Sequence, residues 1–112
     1  MKLALSISVA LVCLSGMVNA MANEKLFVEK AKKNHCYECH RNGERFIGPS
    51  FLEIRERYNG QEKNPQFVDY LANKIINGGG GAWGPTPMNS NPQVSKAEAK
   101  AIVKLIFKLE KQ

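Results

Sequence analysis

The order of hydrophobic and polar residues along the chain predicts an all-helical protein. In the last segment, apolar residues recur at i, i+3, i+4 and i+7, which is the spacing of one helical face: Ile102, Leu105, Ile106 and Leu109. Ser95, with Glu98 three positions later, has the pattern of a capping box at the start of this helix. No segment shows the alternation of period two that a half-buried strand requires.

Three earlier helices are expected from their capping and stop residues. Asn23 is a candidate N-cap for a helix that ends at about Asn34, and residues 51–58 form a short helix before Asn59-Gly60. Asn64-Pro65 predicts the start of a third helix, because asparagine caps and proline is tolerated in the first turn. Gly78 is the natural end of that helix.

The segment between Gly78 and Val94 is unusual for a small domain because no periodic pattern runs through it. It begins with four consecutive glycines and also contains Trp83 and Met88, which are costly to leave in water. Long loops without secondary structure in compact domains are usually functional or disordered. The two large apolar side chains favour a loop that is held in place by something.

The first twenty residues resemble an export signal. Lys2 provides a positive start, an apolar stretch follows to Leu14, and small residues allow cleavage after Ala20 or Ala22. An uncleaved membrane anchor is the alternative, but the apolar stretch is shorter than the roughly 20 residues that span a bilayer. We therefore expect a signal peptide at 1–20, one domain at 21–112, a periplasmic location and no stable membrane insertion.

Charge and cysteine content narrow the class of protein further. Residues 21–112 contain 15 Lys and Arg against 10 Asp and Glu, so the exported domain is basic, yet its charges are scattered and export argues against nucleic acid as a partner. Cys13 would leave with the signal peptide, so only Cys36 and Cys39 remain. A disulfide between them would close a tiny loop and stabilise little, although so small a domain needs some covalent or cofactor support.

The sequence Cys36-Tyr37-Glu38-Cys39-His40 is the C-x-x-C-H signature of covalent c-type haem attachment, with His40 as an axial iron ligand. A zinc site is the first alternative, but His35 and the motif would crowd all four ligands into six residues. A thioredoxin-like thiol pair is the second, but it would need a βαβ context that the pattern does not show. We expect one haem c with its iron.

The second axial ligand follows by elimination. His35 is too close to the attachment motif to reach the opposite face of the haem, and Met21 lies at the terminus of the exported chain. Met88 is the remaining candidate, and it lies in the loop that needs a tether. A thioether ligand opposite histidine is one of the known haem ligations.

These residues resemble the small class I bacterial cytochromes c, the single-haem type that includes cytochromes c-551 and c-552. The resemblance spans residues 21–112 and rests on the attachment motif, on Ile47-Gly48-Pro49, on residues 75–78, and on Trp83-Gly84-Pro85-Thr86-Pro87-Met88 with Asn91. It implies about four helices around one covalent haem. Asn89-Ser90 depart from the pattern, since many members have prolines after the axial methionine.

The resemblance also implies roles for further residues. A carbonyl at Pro49 would accept the second imidazole N–H of His40, Trp83 would direct its indole N–H at a haem propionate, and Asn91 would lie near the methionine sulfur. Lys74 is a candidate for facing a propionate, but its role is open.

The implied function is electron transport in a respiratory chain by a monomeric carrier that is not an enzyme. A membrane cytochrome complex would donate electrons, and a terminal oxidase or periplasmic reductase would accept them. The competing class is a haem enzyme or gas sensor, in which Met88 does not bind iron and a substrate or gas takes that position.

Overall fold

The computed structural model describes residues 2–111, with side chains from residue 13 onward, and contains four α-helices in that part of the chain. They are α1 (Lys2–Lys33), α2 (Phe51–Arg57), α3 (Pro65–Asn77) and α4 (Lys96–Phe107). Two short 3₁₀ turns lie at Cys36–Glu38 and Gln61–Lys63. The described residues form no strand, and one isolated bridge joins Gly79 to Met88. The predicted all-α class is confirmed.

Helix α1 differs from the prediction at its start. Asn23 was expected to cap the helix, but α1 begins at Lys2 and runs through Asn23 without a break. The reason is that Ala20, Met21 and Ala22, directly before Asn23, are good helix formers and the helix continues through them, so the N–H groups near Asn23 find carbonyls one turn earlier and need no side-chain cap. None of the helices in the described part of the chain is long and apolar enough to cross a membrane.

The capping box predicted at Ser95 and Glu98 is incomplete, and a complete one lies at another helix. Ser95 Oγ accepts the N–H of Glu98 at 3.1 Å, but the Glu98 carboxylate accepts a hydrogen bond from Lys30 at 2.8 Å instead of returning to its own cap. The complete capping box lies at α2, where Ser50 and Glu53 exchange both bonds, at 2.8 and 3.0 Å. This fixes the start of α2 at Phe51, at the end of the segment that follows the attachment motif.

Helix α3 begins as predicted. The Asn64 side chain accepts hydrogen bonds from the N–H groups of Gln66 and Phe67, and Pro65 occupies the first turn. The helix ends at Asn77, and Gly78 follows with a φ of 69° and a ψ of −157°, a region open almost only to glycine.

Two buried clusters hold the four helices together, and α4 contributes to both. The first joins the end of α1 to α2 and α4, and contains Phe27, Ala31, Phe51, Ile102, Leu105, Ile106 and Leu109. The second joins α3 to α4, and contains Val68, Ala72, Val94, Ala99 and Val103. The segments that link α1 to α2 and α3 to α4 are thereby held at both ends by packed helices.

Candidate haem site

The C-x-x-C-H motif folds as a single tight turn after α1. The N–H groups of Cys39 and His40 both donate to the carbonyl of Cys36, at 3.2 and 3.0 Å. Both cysteines are free thiols, and burial raises the pKa of the Cys36 thiol above its ordinary value. The turn therefore presents two unpaired thiols and one imidazole within five residues, the donor set that covalent haem attachment needs.

His40 is the buried member of this set, with 8% of its surface exposed. Its Nδ1 lies 2.7 Å from the carbonyl oxygen of Pro49, which is also buried. A carbonyl can only accept, so Nδ1 carries the proton and Nε2 keeps a free lone pair for a metal. The contact between His40 and Pro49 matches the one that the family resemblance implied.

Gly48 allows the backbone to approach the histidine ring this closely. A Cβ atom at this position would lie 2.8 Å from Cε1 and 3.1 Å from Nδ1 of His40. The Gly48 N–H donates to the carbonyl of Cys39 at 2.8 Å, and the Phe51 ring lies 5.1 Å from the imidazole. The ring is thus enclosed by backbone on one side and by an aromatic side chain from α2.

Met88 is held at the stem of the loop that links α3 to α4. It exchanges two backbone hydrogen bonds with Gly79, at 3.0 and 2.8 Å. Three residues later, Asn91 bonds the end of α3 twice: its N–H donates to Ile76 and its side-chain amide to Ile75, both at 2.9 Å. These bonds supply the tether that the sequence required for Met88.

Trp83 lies half-buried in the outer part of the same loop and is held by α2. Its ring makes an edge contact with Tyr58 at 6.1 Å, and the Arg57 guanidinium stacks 4.3 Å from its centre. Arg57 also donates to the carbonyl of Ala82 at 2.6 Å, while Arg45 donates to the carbonyl of Trp83 at 3.4 Å. The outer loop is therefore fixed by two arginines.

Sequence reasoning missed both arginines. They lie 25 and 38 positions from the carbonyls that they bond, so no local pattern connects them to the loop. The remaining predicted roles stay predictions: the indole of Trp83 at a propionate, and Asn91 beside the methionine sulfur. Lys74 places its ammonium 5.8 Å from the centre of the Tyr70 ring.

The residues present fit a covalently attached haem. Cys36 and Cys39 provide the thiols, His40 an imidazole whose Nε2 is not used by the Pro49 contact, and Met88 a thioether on a tethered loop. Within residues 2–111, no group of three or more His, Cys, Asp or Glu side chains is arranged to hold a metal ion by itself.

Comparison with known proteins finds cytochromes c. The family model for cytochrome c matches residues 24–110. Cytochrome c-552 of Hydrogenobacter thermophilus is 39% identical over 103 residues, which cover 91% of this chain and 94% of the relative. Cytochrome c-551 of Azotobacter vinelandii is 42% identical over 79 residues, which cover 70% of this chain and 92% of the relative.

A solved structure shares the fold. The crystal structure of wild-type cytochrome c552 of Nitrosomonas europaea matches with a TM-score of 0.66 and 37% identity. The match covers 74% of this chain and 99% of that one.

Proposed function

Because this chain belongs to the cytochrome c family, we propose that it is a periplasmic one-electron carrier in which His40 and Met88 bind the haem iron. Members of this family carry one covalently bound haem c and transport electrons, so the chain is an electron carrier and not an enzyme. Cys36 and Cys39 stand at the two attachment positions of the motif. The haem supplies the change between ferric and ferrous iron when it is bound.

The single observation that best supports the proposal is the environment of His40. Its imidazole is buried, its Nδ1 proton is held by Pro49 at 2.7 Å, and Gly48 leaves room for that contact. Such a fixed tautomer makes Nε2 a better and better-oriented ligand. A histidine that served only to fill the core would not need to follow two unpaired thiols on one turn.

Met88 is the proposed ligand on the opposite side. A thioether donates weakly and favours ferrous iron, which raises the reduction potential relative to two histidine ligands. Bonds from Gly79 to the Met88 backbone fix the loop at that residue, so little should rearrange when an electron arrives. Trp83 would donate to a propionate and Asn91 would lie near the sulfur.

The proposed location follows from the N-terminal segment, with cleavage after Ala20 or Ala22. Cleavage would place Asn23 close to a new N-terminus, where it could cap α1. The proposed donors and acceptors are a membrane cytochrome complex and a terminal oxidase or periplasmic reductase, each met briefly by a monomeric carrier.

Optical spectra test the ligation. The exported protein, produced with haem-maturation machinery, would be measured oxidised, reduced, and reduced under carbon monoxide. We expect sharp low-spin bands that carbon monoxide does not shift, because Met88 occupies the sixth position. Met88→Ala should open the site to carbon monoxide.

A rapid and complete shift with carbon monoxide in the unaltered protein would reject Met88 as a ligand. The site would then be open, and the enzyme or gas-sensor function would replace electron transport.

A further inference from the structure

The arginine that directly follows the proposed histidine ligand is held in one place by contacts of its side chain and its backbone. Nη1 of Arg41 donates to the carbonyl oxygens of Tyr37 and His40, the second at 2.9 Å. The guanidinium carbon lies 4.1 Å from the centre of the Phe46 ring, and the Arg41 carbonyl accepts the N–H of Phe51 at 2.9 Å. The positive charge of Arg41 is therefore fixed against residues 36–40, which we call the attachment turn.

The charge of Arg41 is not neutralised by a carboxylate. Among the described residues, Arg41 forms no ion pair with Asp or Glu. Lys32 and Glu44 line the same open cleft, and because they are one charge of each sign they leave the charge of Arg41 uncompensated as a pair. A guanidinium keeps its proton at any pH at which a protein is folded. A constant positive charge thus remains beside His40.

Other charges near the attachment turn are weaker sources of electrostatic potential. Glu38 is 74% exposed on its side chain and lies 3.4 Å from the ring of His35. Arg45 lies 3.7 Å from Glu53, so its charge is largely cancelled at longer range. Exposed charges are screened by water and salt, whereas a partly buried charge is screened much less. Arg41 is partly buried, so it is the stronger influence on the imidazole of His40.

We propose that Arg41 raises the reduction potential of the haem bound at His40 by holding a fixed positive charge beside that ligand. This inference rests on the proposed electron-carrier function. Reduction moves one electron from the redox partner to ferric iron and lowers the positive charge of the site by one. A nearby cation repels the ferric state more than the ferrous state, so it favours the reduced protein. Arg41 itself is neither oxidised nor deprotonated in this step, and it acts without touching the haem.

A purely structural role for Arg41 is the alternative, in which its hydrogen bonds only hold the attachment turn together. The two roles depend on different properties of the side chain. Arg41→Gln removes the charge, although its amide N–H can still donate to one of the two carbonyls. Arg41→Lys keeps the charge but loses the planar fork of donors. The pair of variants therefore separates the effect of charge from the effect of hydrogen bonding.

The test is a redox titration of the intact haem protein, followed by its optical spectrum. At a fixed solution potential we expect Arg41→Gln to lower the ratio of ferrous to ferric protein by about 3- to 10-fold, the size expected of one partly solvated charge. This is a fall of about 30–60 mV, because a tenfold change corresponds to about 59 mV for one electron. Arg41→Lys should change the ratio by less than about twofold.

The spectrum of the ferric variants shows whether the ligands are unchanged. The charge-transfer band from the Met88 sulfur to iron should persist in Arg41→Gln. Loss of that band together with the fall in potential would overturn the proposal, because a change of ligand would then explain the shift. An equal fall in Arg41→Gln and Arg41→Lys would also overturn it, because the hydrogen bonds, and not the charge, would set the potential.

Arg55→Gln is the matched control. Arg55 is also partly buried, but it lies on α2 and bonds no residue of the attachment turn in the part of the chain that the structure describes. Its loss should change the ratio by less than about twofold. Equal lowering by Arg41→Gln and Arg55→Gln would overturn the proposal, since net charge alone would then determine the potential.

The same titration separates this proposal from the proposed function. An electron carrier must show a reversible one-electron couple in the unaltered protein. If that couple is present and has the same midpoint in every variant, the role of Arg41 is wrong and electron transport stands. If the unaltered protein shows no reversible couple, the electron-carrier function fails, and the inference fails with it.

Discussion

The two segments that carry the proposed iron ligands are built in different ways. The attachment segment, residues 36–50, is short and bonded throughout: Gly48 donates to Cys39, and the first residues of α2 donate back to Arg41 and Asn42 at 2.9 and 3.0 Å. The methionine loop, residues 78–94, is bonded at its stem by Gly79 and Asn91, and its outer part is held by arginine side chains. His40 is enclosed by backbone and by Phe51, whereas Met88 lies on a long loop that is bonded mainly at its stem.

The difference predicts which ligand is lost first. Displacing His40 means breaking a buried hydrogen bond and moving a ring packed on Phe51. Displacing Met88 means opening two backbone bonds at a half-buried stem. Local opening requires least free energy where bonds are few and exposed. The methionine side should therefore exchange with external ligands while the histidine side remains bound.

The stem of the methionine loop should be its most sensitive point. Gly78 has a backbone conformation that costs other residues about 1–3 kcal/mol, and a Cβ there would lie 2.8 Å from backbone atoms of Asn89 and Ser90. We expect Gly78→Ala to lower the free energy of unfolding by about 2–4 kcal/mol and to abolish the sulfur-to-iron charge-transfer band of the ferric protein.

Gly81→Ala is the matched control for this change. Gly81 also has a positive φ, of 98°, but a Cβ there meets nothing within 4 Å. Gly81→Ala should lower the free energy of unfolding by about 1 kcal/mol because of backbone strain, and the charge-transfer band should remain. Loss of the band in both variants would show that strain anywhere in the loop, and not the collision at the stem, displaces Met88.

The attachment segment should respond to the equivalent change in another way. A Cβ at Gly48 collides with the His40 ring, so we expect Gly48→Ala to cost about 1–3 kcal/mol of stability. Because the Met88 stem is untouched, the charge-transfer band should persist until the protein unfolds. Denaturation followed by both circular dichroism and that band would check this. If the band disappeared well before the helices unfolded, the two segments would be coupled more tightly than their separate bonds suggest.

The sequence alone was sufficient for several features that depend on local spacing. The attachment motif, the Asn64 cap and the end of α3 at Gly78 each follow from neighbours within a few residues. The Pro49 contact was reached only through family resemblance, since no spacing rule links a carbonyl to a ring nine positions earlier.

Apart from the capping box of Ser50 and Glu53, whose partners are three residues apart, the unpredicted features depend on tertiary contacts. Glu98 was expected to complete its own cap, but α1 brings Lys30 within 2.8 Å and a charged partner is the stronger donor. The arginine contacts with the outer loop arise because α2 and the loop meet in space. Such choices among several possible partners cannot be read from a single chain segment.

A change in the outer part of the methionine loop should affect the binding of Met88 less than a change at the stem. Arg57→Gln removes the bond to Ala82 and the stacking on Trp83 from an exposed side chain. We expect a loss of about 1 kcal/mol, which should make external imidazole compete with Met88 about fivefold better. Imidazole titration of the ferric protein measures this directly.

Arg55→Gln removes the same charge from the same helix and should leave the imidazole affinity unchanged. An identical shift in both variants would indicate that charge, and not the contacts of Arg57, governs the loop. Secondary structure should be the same in both, which makes the comparison independent of folding.

The smallest expected effect is on the free energy of unfolding at acid pH, through the contact between Lys30 of α1 and Glu98 of α4. The hydrogen bond from Lys30, opposed by partial burial, lowers the pKa of Glu98 below its ordinary 4.5. A carboxyl whose pKa is lower in the folded state stabilises that state above its unfolded pKa, and this contribution is lost as pH falls through the folded value. Since the pair is partly solvated, we expect it to contribute less than about 1 kcal/mol to the free energy of unfolding.

Glu98→Gln should therefore flatten the dependence of unfolding free energy on pH below about 4.5, whereas Glu44→Gln, in an exposed turn, should not. The charge-transfer band should follow the same pH course in both variants, because Glu98 ties α1 to α4 and does not touch the methionine loop. A shift of that course in Glu98→Gln alone would mean that the α1–α4 contact also controls the methionine side, and that the two ligands are not held independently.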